Sequence, residues 1–277
     1  MRVRRLSLVL ILATPVVLTT LIVSSCGSSG TSGSTSTGAT GSTSPGASVE
    51  IVVSAASDLS PVLAEMAPLI EEGLGVVIKT NLGSTGQLTE QIANGARVDV
   101  FLAASKSAID VLAAKGLLVD GSEQVYARGY VVMWTKPGSS LQLEDLTDLA
   151  SPNVKRISIA NPDHAPYGRA AKEALQSAGL WDLLQDKLVP AENVRQAYQF
   201  AESGNTDVGL VALSLVSQED GTYVEIPDDL YQPLSQTLAI VASSSHQEEA
   251  KAFVGFLTGE KGREILKKYG FTIPGEG

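Results

Sequence analysis

Short apolar runs alternate with longer segments in which apolar residues recur every three or four positions, from residue 48 to the end of the chain. The short runs, rich in β-branched residues, predict buried strands, and the longer segments predict amphipathic helices. The predicted strands are 49–54, 76–81, 98–103, 156–160, 207–213 and 237–241. The predicted helices are 58–71, 85–94, 105–115, 166–178, 194–203, 247–257 and 261–269. This alternation is typical of an α/β fold with largely parallel sheets.

The pattern of strands and helices runs once through the first half of this segment and restarts near residue 156. It therefore predicts two lobes, with residues 49–130 and the returning residues 238–277 in lobe I and residues 131–237 in lobe II. The chain would cross between them more than once, through hinge strands near 130–133 and 237–241. Because ligands bind at the carboxyl ends of strands in open α/β sheets, we expect a cleft between the lobes.

The N-terminus has the pattern of a secretion signal. Arg2, Arg4 and Arg5 precede an uncharged apolar stretch, and the small residues Ser24 and Ser25 precede Cys26. Residues 23–26 resemble a bacterial lipobox, which makes residues 1–25 a lipoprotein signal peptide and Cys26 the site of lipid attachment. A chance cysteine in an ordinary signal peptide or an uncleaved anchor is the alternative.

Residues 26–48 are almost wholly glycine, serine and threonine. Such a composition buries too little apolar surface to fold, so we expect a tether between the membrane and the domain.

Composition excludes several classes of function. The chain has a formal net charge of −10, 5% aromatic residues and no basic run, which argues against a nucleic-acid partner. A single cysteine allows neither an intrachain disulfide nor a thiolate metal cluster. The sequence lacks the motifs of a Walker A loop, a dinucleotide turn, a zinc protease helix and a hydrolase nucleophile elbow.

Donor-rich turns join the predicted strands to the helices that follow them. They are Ser57 with Asp58, Ser84 with Thr85, and the segments 161–168 and 190–195. A helix start presents unpaired N–H groups and the positive end of a dipole, so four of them facing one cleft would form an anion site. A fully deprotonated tetrahedral dianion is an acceptor only, and neutral N–H and O–H groups suffice to bind it.

Other interpretations of these residues stay open at this point. The polar residues before the helices are often simple helix caps. An amino-acid receptor of similar architecture would recruit Arg169 for the carboxylate and Asp163 for the ammonium group. A hydrolase would use Ser57 or Thr85 as nucleophile, but the sequence offers no positioned base. His164 is expected to be a solvated loop residue.

These turns also carry a family resemblance. The segments are 55–57, 83–88 with Gln91 and Ile92, 161–168, 191–195, 208–214 and 268–271. In order and spacing they resemble the molybdate-binding proteins of bacterial ABC importers over residues 48–274. The resemblance implies a two-lobed periplasmic-binding-protein fold of type II character and a monomeric receptor that is not an enzyme. Its ligand would be molybdate or tungstate, with no other cofactor, and its partner an importer permease with its ATPase.

The resemblance also implies a set of ligand contacts. Ser57, Thr85 and Ser84 would donate from their hydroxyls, and Asp58, Tyr167 and Val194 from their backbone amides. All would contact oxygen atoms and not the metal itself. The Tyr167 side chain would then serve only as a lid or a packing element.

Two positions depart from the family pattern. Some members have serine where this chain has Asp58, and some add a tyrosine hydroxyl where it has Ala212. We expect the Asp58 carboxylate to turn back and cap its helix, because a carboxylate facing the ligand would instead favour hydrogen phosphate. Phosphate or sulfate is therefore the alternative oxyanion, and the sequence does not separate molybdate from tungstate.

Overall fold

The computed structural model describes residues 48–216 and 221–276, which lie in one compact unit. The predicted signal peptide, Cys26 and all of the tether except Ser48 lie outside the described residues. None of the helices in the described part is long and apolar enough to cross a membrane.

The first sheet has five strands in the spatial order β2-β1-β3-β10-β4. They are β1 (Val49–Ala56), β2 (Val76–Gly83), β3 (Val100–Ala103), β4 (Gln124–Gly129) and β10 (Leu234–Ile240). β1 runs parallel to β2 and β3, and β10 runs antiparallel to β3 and β4. The helices joined to this sheet are α1 (Ser60–Leu74), α2 (Thr85–Ala93), α3 (Lys106–Ala113), α8 (Gln247–Thr258) and α9 (Glu260–Lys268). We call this part lobe I.

The second sheet has five strands in the order β7-β6-β8-β5-β9. They are β5 (Val131–Thr135), β6 (Ile157–Ala160), β7 (Leu188–Ala191), β8 (Val208–Ala212) and β9 (Thr222–Glu225). β6 runs parallel to β7 and β8, and β5 runs antiparallel to β8 and β9. Its helices are α4 (Pro166–Ser177), α5 (Trp181–Leu184), α6 (Val194–Glu202) and α7 (Leu213–Val216). We call this part lobe II.

The chain passes between the sheets through two extended connections. Tyr130 alone separates β4 from β5, and the segment after β9 leads back into β10. β10 begins at Leu234, earlier than the return at residue 238 expected from the pattern, and has a register shift between Gln236 and Thr237. Gln236 therefore lies on the strand by which the chain re-enters lobe I.

The predicted α/β fold with mixed, mainly parallel sheets is confirmed, and each long predicted element is present within a few residues. Short elements that the pattern did not predict are β4, β7, β9, α5 and α7. β7 contains Pro190, which removes a backbone donor and is tolerated here because β7 is an edge strand. Buried apolar side chains cover the sheet of lobe II in one cluster and the sheet of lobe I in two, so each lobe has a core that holds its strand ends in place.

Candidate oxyanion site

A small cavity lies where the carboxyl ends of the strands of both lobes meet. Its lining comes from Ala56, Ser57, Asp58, Gly83, Ser84, Thr85, Ala104, Ala165, Pro166, Tyr167 and Val194. All six ligand residues expected from the sequence are therefore brought together in one cavity. Its volume is about 10 Å³, far below the roughly 300–1,000 Å³ of sites for drug-sized organic ligands.

Three hydroxyl groups face this cavity from lobe I, and each oxygen is already engaged by a nitrogen. Ser57 Oγ accepts the Arg195 amide at 3.3 Å, and Thr85 Oγ1 accepts the Ala104 amide at 3.1 Å. Ser84 Oγ lies 2.8 Å from Nδ1 of His164 and accepts from it in the tautomer that carries the proton on Nδ1. A hydroxyl that accepts from an N–H keeps its own hydrogen for another acceptor. The arrangement thus leaves the hydroxyl hydrogens of Ser57 and Thr85, and that of Ser84 in this tautomer, for a ligand that only accepts.

Backbone amides complete the donor set at three helix starts. Thr85 is the first residue of α2, Tyr167 follows Pro166 at the start of α4, and Val194 is the first residue of α6. Amides in the first turn of a helix have no partner within the helix and lie at the positive end of its dipole. The helix starts therefore bring both donors and a favourable field to the cavity.

Capping alone does not account for the polar residues of these turns. Asn193 does cap α6, since its side chain accepts the Gln196 amide at 3.0 Å. Ser84 stands at the N-cap position of α2 without a side-chain capping bond, and the 3-10 turn Ser57–Leu59 has none either. Their hydroxyls are instead held by contacts with other parts of the chain.

The expectation that the Asp58 carboxylate caps its own helix is wrong. Asp58 is fully buried, and its Oδ2 accepts from the Tyr167 hydroxyl at 2.9 Å and from Gln236 Nε2 at 2.8 Å. Burial raises the pKa of this carboxyl from 3.8 to about 6, against the lowering effect of its hydrogen bonds. The carboxyl therefore ties its own turn to α4 of lobe II and to β10.

The expectation that the Tyr167 side chain is only a lid or packing element is wrong as well. Its hydroxyl bonds Asp58 and lies 3.3 Å from Gln236 Nε2. Gly129 leaves room for it, since a Cβ at Gly129 would stand 2.1 Å from the phenolic oxygen. Gln236 and Gly129 were missed because neither an amide in a strand nor a glycine after one gives a local signal of a site.

His164 is also not merely a solvated loop residue. Besides its contact with Ser84, its carbonyl accepts the Gly86 amide across the cleft at 2.8 Å. A Cβ on Gly86 would stand 2.6 Å from that carbonyl oxygen, so only glycine fits this approach without a shift. Gln87 donates to Glu192 at 2.9 Å beside it. The two lobes are thus in direct hydrogen-bonded contact around the cavity.

The residues that an amino-acid receptor would need do not line this cavity. Arg169 lines a neighbouring groove with Lys106, and Asp163 is exposed. Ala212 is buried in β8 and supplies no hydroxyl. Within residues 48–216 and 221–276, no group of three histidine, cysteine or acidic side chains is placed to hold a metal ion.

Comparison with known proteins identifies the family. Residues 51–272 match the sequence profile of the bacterial extracellular solute-binding proteins. The chain belongs to this family. The molybdate-binding protein ModA of Rhodobacter capsulatus is 33% identical over 228 residues, covering 82% of this chain and 90% of the relative. The ModA protein of Azotobacter vinelandii is 36% identical over 230 residues, covering 81% and 90%. This likeness places the chain among the molybdate-binding proteins, as the sequence motifs predicted.

Solved structures agree with this assignment of the fold. The periplasmic molybdate-binding protein of Azotobacter vinelandii superposes with a TM-score of 0.77 at 31% identity, over 81% of this chain and 99% of that chain. The sulfate-binding protein SubI of Mycobacterium tuberculosis shares the fold at 18% identity, with a TM-score of 0.70 over 82% and 88%. The predicted periplasmic-binding-protein fold is therefore confirmed.

Proposed function

We propose that this solute-binding protein is an extracytoplasmic receptor that captures molybdate or tungstate and delivers it to an ABC importer. The observation that carries the proposal is the set of hydroxyls on Ser57, Ser84 and Thr85 whose oxygens are engaged by nitrogens at the cavity. The relatives of this chain that are named for a ligand at 31–36% identity are molybdate-binding proteins.

Neutral donors are suited to this ligand. A tetrahedral dianion offers only lone pairs, and each charge-assisted hydrogen bond to it stabilises the complex by about 1.5–3 kcal/mol. No lysine, arginine or histidine side chain is among the residues that line the cavity. Helix dipoles and oriented amides supply the field locally, so the net charge of −10 does not prevent binding.

Delivery follows from closure of the lobes. Direct contacts across the cleft, such as Gly86 to His164 and Tyr167 to Asp58, exist only when the lobes are together. A bound oxyanion that contacts both lobes favours the closed form by its differential affinity for it. Rotation about Tyr130 and the segment that leads into β10 would open the cleft. The permease and its ATPase would recognise the closed form of the monomer.

Phosphate is the second candidate ligand. Hydrogen phosphate carries a proton and needs an acceptor in the site, and Asp58 is the carboxylate among the lining residues. The Oδ2 atom of Asp58 already accepts two hydrogen bonds from Tyr167 and Gln236. The Oδ1 atom of Asp58 has no partner among the described residues and would be the acceptor for the proton of hydrogen phosphate.

Membrane attachment is a further part of the proposal. Cleavage before Cys26 and acylation of its thiol would hold the domain, on a tether of residues 26–48, at the outer face of the cytoplasmic membrane or in a periplasm. Mass spectrometry of the protein from its membrane fraction should find a diacylated N-terminal cysteine. A soluble protein whose signal peptide is cleaved at another position would contradict lipid attachment at Cys26.

A thermal-shift panel tests the ligand class. Molybdate and tungstate should each raise the Tm of the purified protein, because a ligand that binds only the folded state stabilises it by mass action. Sulfate and phosphate should raise it less at the same concentration, and an amino-acid pool should leave it unchanged. Stabilisation by amino acids and not by oxyanions would overturn the proposal. So would catalytic turnover that depends on Ser57.

A further inference from the structure

A cluster of buried polar atoms without partners lies beside the oxyanion cavity. Asp58 Oδ1, Gln236 Oε1 and the Tyr126 hydroxyl are each buried and make no hydrogen bond within the described chain. Asp58 and Gln236 have 0% exposure and Tyr126 has 3%. Buried polar groups are nearly always paired, so the unpaired atoms on Asp58 and on its hydrogen-bond partner Gln236 require an explanation.

Among the described residues, the hydrogen-bond partners of the Asp58 carboxyl are neutral, and Arg128 on β4 is paired with Asp228. The polar groups around it come from Tyr126 on β4, Tyr167 on α4 and Gln236 on β10, while Ser214 on α7 donates to the backbone carbonyl of Asp58. Arg195 on α6 has an exposed side chain, and Glu65 on α1 is bound by Lys268 and Tyr269. A buried carboxylate is ordinarily paired with a cation, and this one is not.

Counting donors and acceptors points to a missing hydrogen. Gln236 Nε2 donates to Asp58 Oδ2. The remaining oxygen of each side chain, Gln236 Oε1 and Asp58 Oδ1, is a buried acceptor that receives no hydrogen bond. An ionised carboxylate has no hydrogen to give. A proton on Oδ1 makes it a donor, for which Gln236 Oε1 is the acceptor available.

We propose that Asp58 is a neutral carboxylic acid in the oxyanion complex, so that the protein takes up one proton together with each dianion. The proposal rests on the proposed function, since it concerns the same site. It makes Asp58 a specificity residue: its neutral form tolerates a dianion at the cavity, whereas its carboxylate would repel one.

Closure and the ligand both favour the protonated form. Contact with Tyr167 from lobe II removes the carboxyl from water, and burial raises its pKa to about 6 even before an anion is considered. A dianion in the same cavity raises the pKa further, because like charge disfavours ionisation. Opening of the cleft would expose the carboxyl to water, and we expect its pKa to return towards the ordinary value of 3.8.

The sign of the pH dependence follows from these pKa values. The complex binds more protons than the open protein between the two pKa values, so affinity rises as pH falls through the pKa of the complex. For the uptake of one proton, the affinity changes by at most about tenfold per pH unit. Well above the pKa of the complex, no proton is taken up and affinity is independent of pH.

Calorimetry on the purified full-length protein counts the proton directly. Molybdate is titrated at pH 6 in two buffers that differ in ionisation enthalpy, and the difference in observed heat gives the protons taken up. We expect a value between about one half and one proton, and an affinity that falls as the pH rises from 6 to 8.

The matched variant is Asp58→Asn, which has the shape of the protonated carboxyl and cannot ionise. It should take up no proton in the same two buffers, and its affinity should change little between pH 6 and 8. A molybdate-induced infrared difference spectrum of the wild type gives a second readout that needs no variant. The carbonyl band of a protonated carboxyl should grow on binding.

The outcomes separate this proposal from the function on which it rests. No binding of any oxyanion overturns the proposed function. Binding of molybdate without proton uptake, or with equal uptake by Asp58→Asn, overturns the proton proposal and leaves the function intact.

Discussion

The phenolic oxygen of Tyr167 lies 2.9 Å from Oδ2 of Asp58, and this hydrogen bond joins the start of α4 in lobe II to the first turn after β1 in lobe I. The contact is fully buried and shares its acceptor with Gln236. It links the closed arrangement of the lobes to a residue that lines the oxyanion cavity.

Removal of this hydroxyl should weaken the closed form. Tyr167→Phe leaves the buried carboxyl with one donor fewer, at a cost of about 1–3 kcal/mol. We expect oxyanion affinity to fall by about 5- to 150-fold in a calorimetric titration, because closure is coupled to binding. Tyr223→Phe, at an exposed position of β9, is the control and should bind like the wild type. Equal affinities for both variants would show that the Tyr167 hydroxyl has no part in closure.

Gly86 should be needed for the approach of the lobes. A Cβ at this position would stand 2.6 Å from the His164 carbonyl oxygen, so Gly86→Ala forces the lobes apart while the fold of each lobe is kept. We expect a loss of affinity of at least about tenfold, equal to about 1.4 kcal/mol. The wild type should become more compact on adding molybdate, as measured by small-angle scattering, and the variant should not.

Gly73→Ala is the matched control for that substitution. Gly73 lies in α1, and a Cβ there meets nothing within 4 Å. The change should leave binding intact and keep or slightly raise stability, since alanine is favoured over glycine in helices by about 1 kcal/mol. If molybdate made the Gly86→Ala protein as compact as the Gly73→Ala protein, the steric argument would be contradicted.

The hydroxyl of Thr85 should be a ligand donor. Thr85→Val removes the donor and also the acceptor of the Ala104 amide, and we expect binding to weaken by about 1.5–3 kcal/mol. Thr85→Ser keeps the oxygen and should retain most of the affinity. If Thr85→Val and Thr85→Ser bound molybdate with equal affinity, the Thr85 hydroxyl would not be a ligand donor.

The stability of the closed form, measured in saturating molybdate, should depend on pH through Asp58. The pKa of its carboxyl is raised in the folded protein from 3.8 to about 6, so the folded state binds more protons and loses stability as pH rises through this window. At 1.36 kcal/mol per unit, the loss is about 3 kcal/mol and is complete above about pH 7. Asp58→Asn should therefore be more stable than the wild type at pH 8.

Urea unfolding of both proteins in saturating molybdate at several pH values checks this prediction. The difference in free energy of unfolding should narrow as pH falls from 7 towards 4, because the wild-type carboxyl becomes protonated. Other carboxyl groups titrate in both proteins and cancel in the difference. A constant difference over this range would show that Asp58 is ionised in the folded protein at low pH.

Local signals made the helix starts predictable from the sequence. Proline at the start of α4 and Asn193 before α6 specify where those helices begin, and periodicity specifies which strands precede them. The gathering of Ser57, Thr85 and Val194 at one cavity follows from the rule that the carboxyl ends of strands share an edge. The family resemblance added which groups at that edge would bind.

Contacts between distant segments were not predictable in this way. Asp58 and Tyr167 are separated by 109 positions, and Asp58 and Gln236 by 178. The orientation of the Asp58 carboxyl depends on how the two lobes meet, which no local pattern encodes. For this reason the sequence suggested a helix cap where the structure has a bond between lobes.

Calorimetric titration of the purified protein with molybdate tests the central claim most directly. Neutral donors converging from both lobes predict one molybdate per chain, with an affinity lost in a Ser57→Ala and Thr85→Val double variant that keeps its folded circular dichroism spectrum. Heat of binding from amino acids and none from molybdate or tungstate would contradict it.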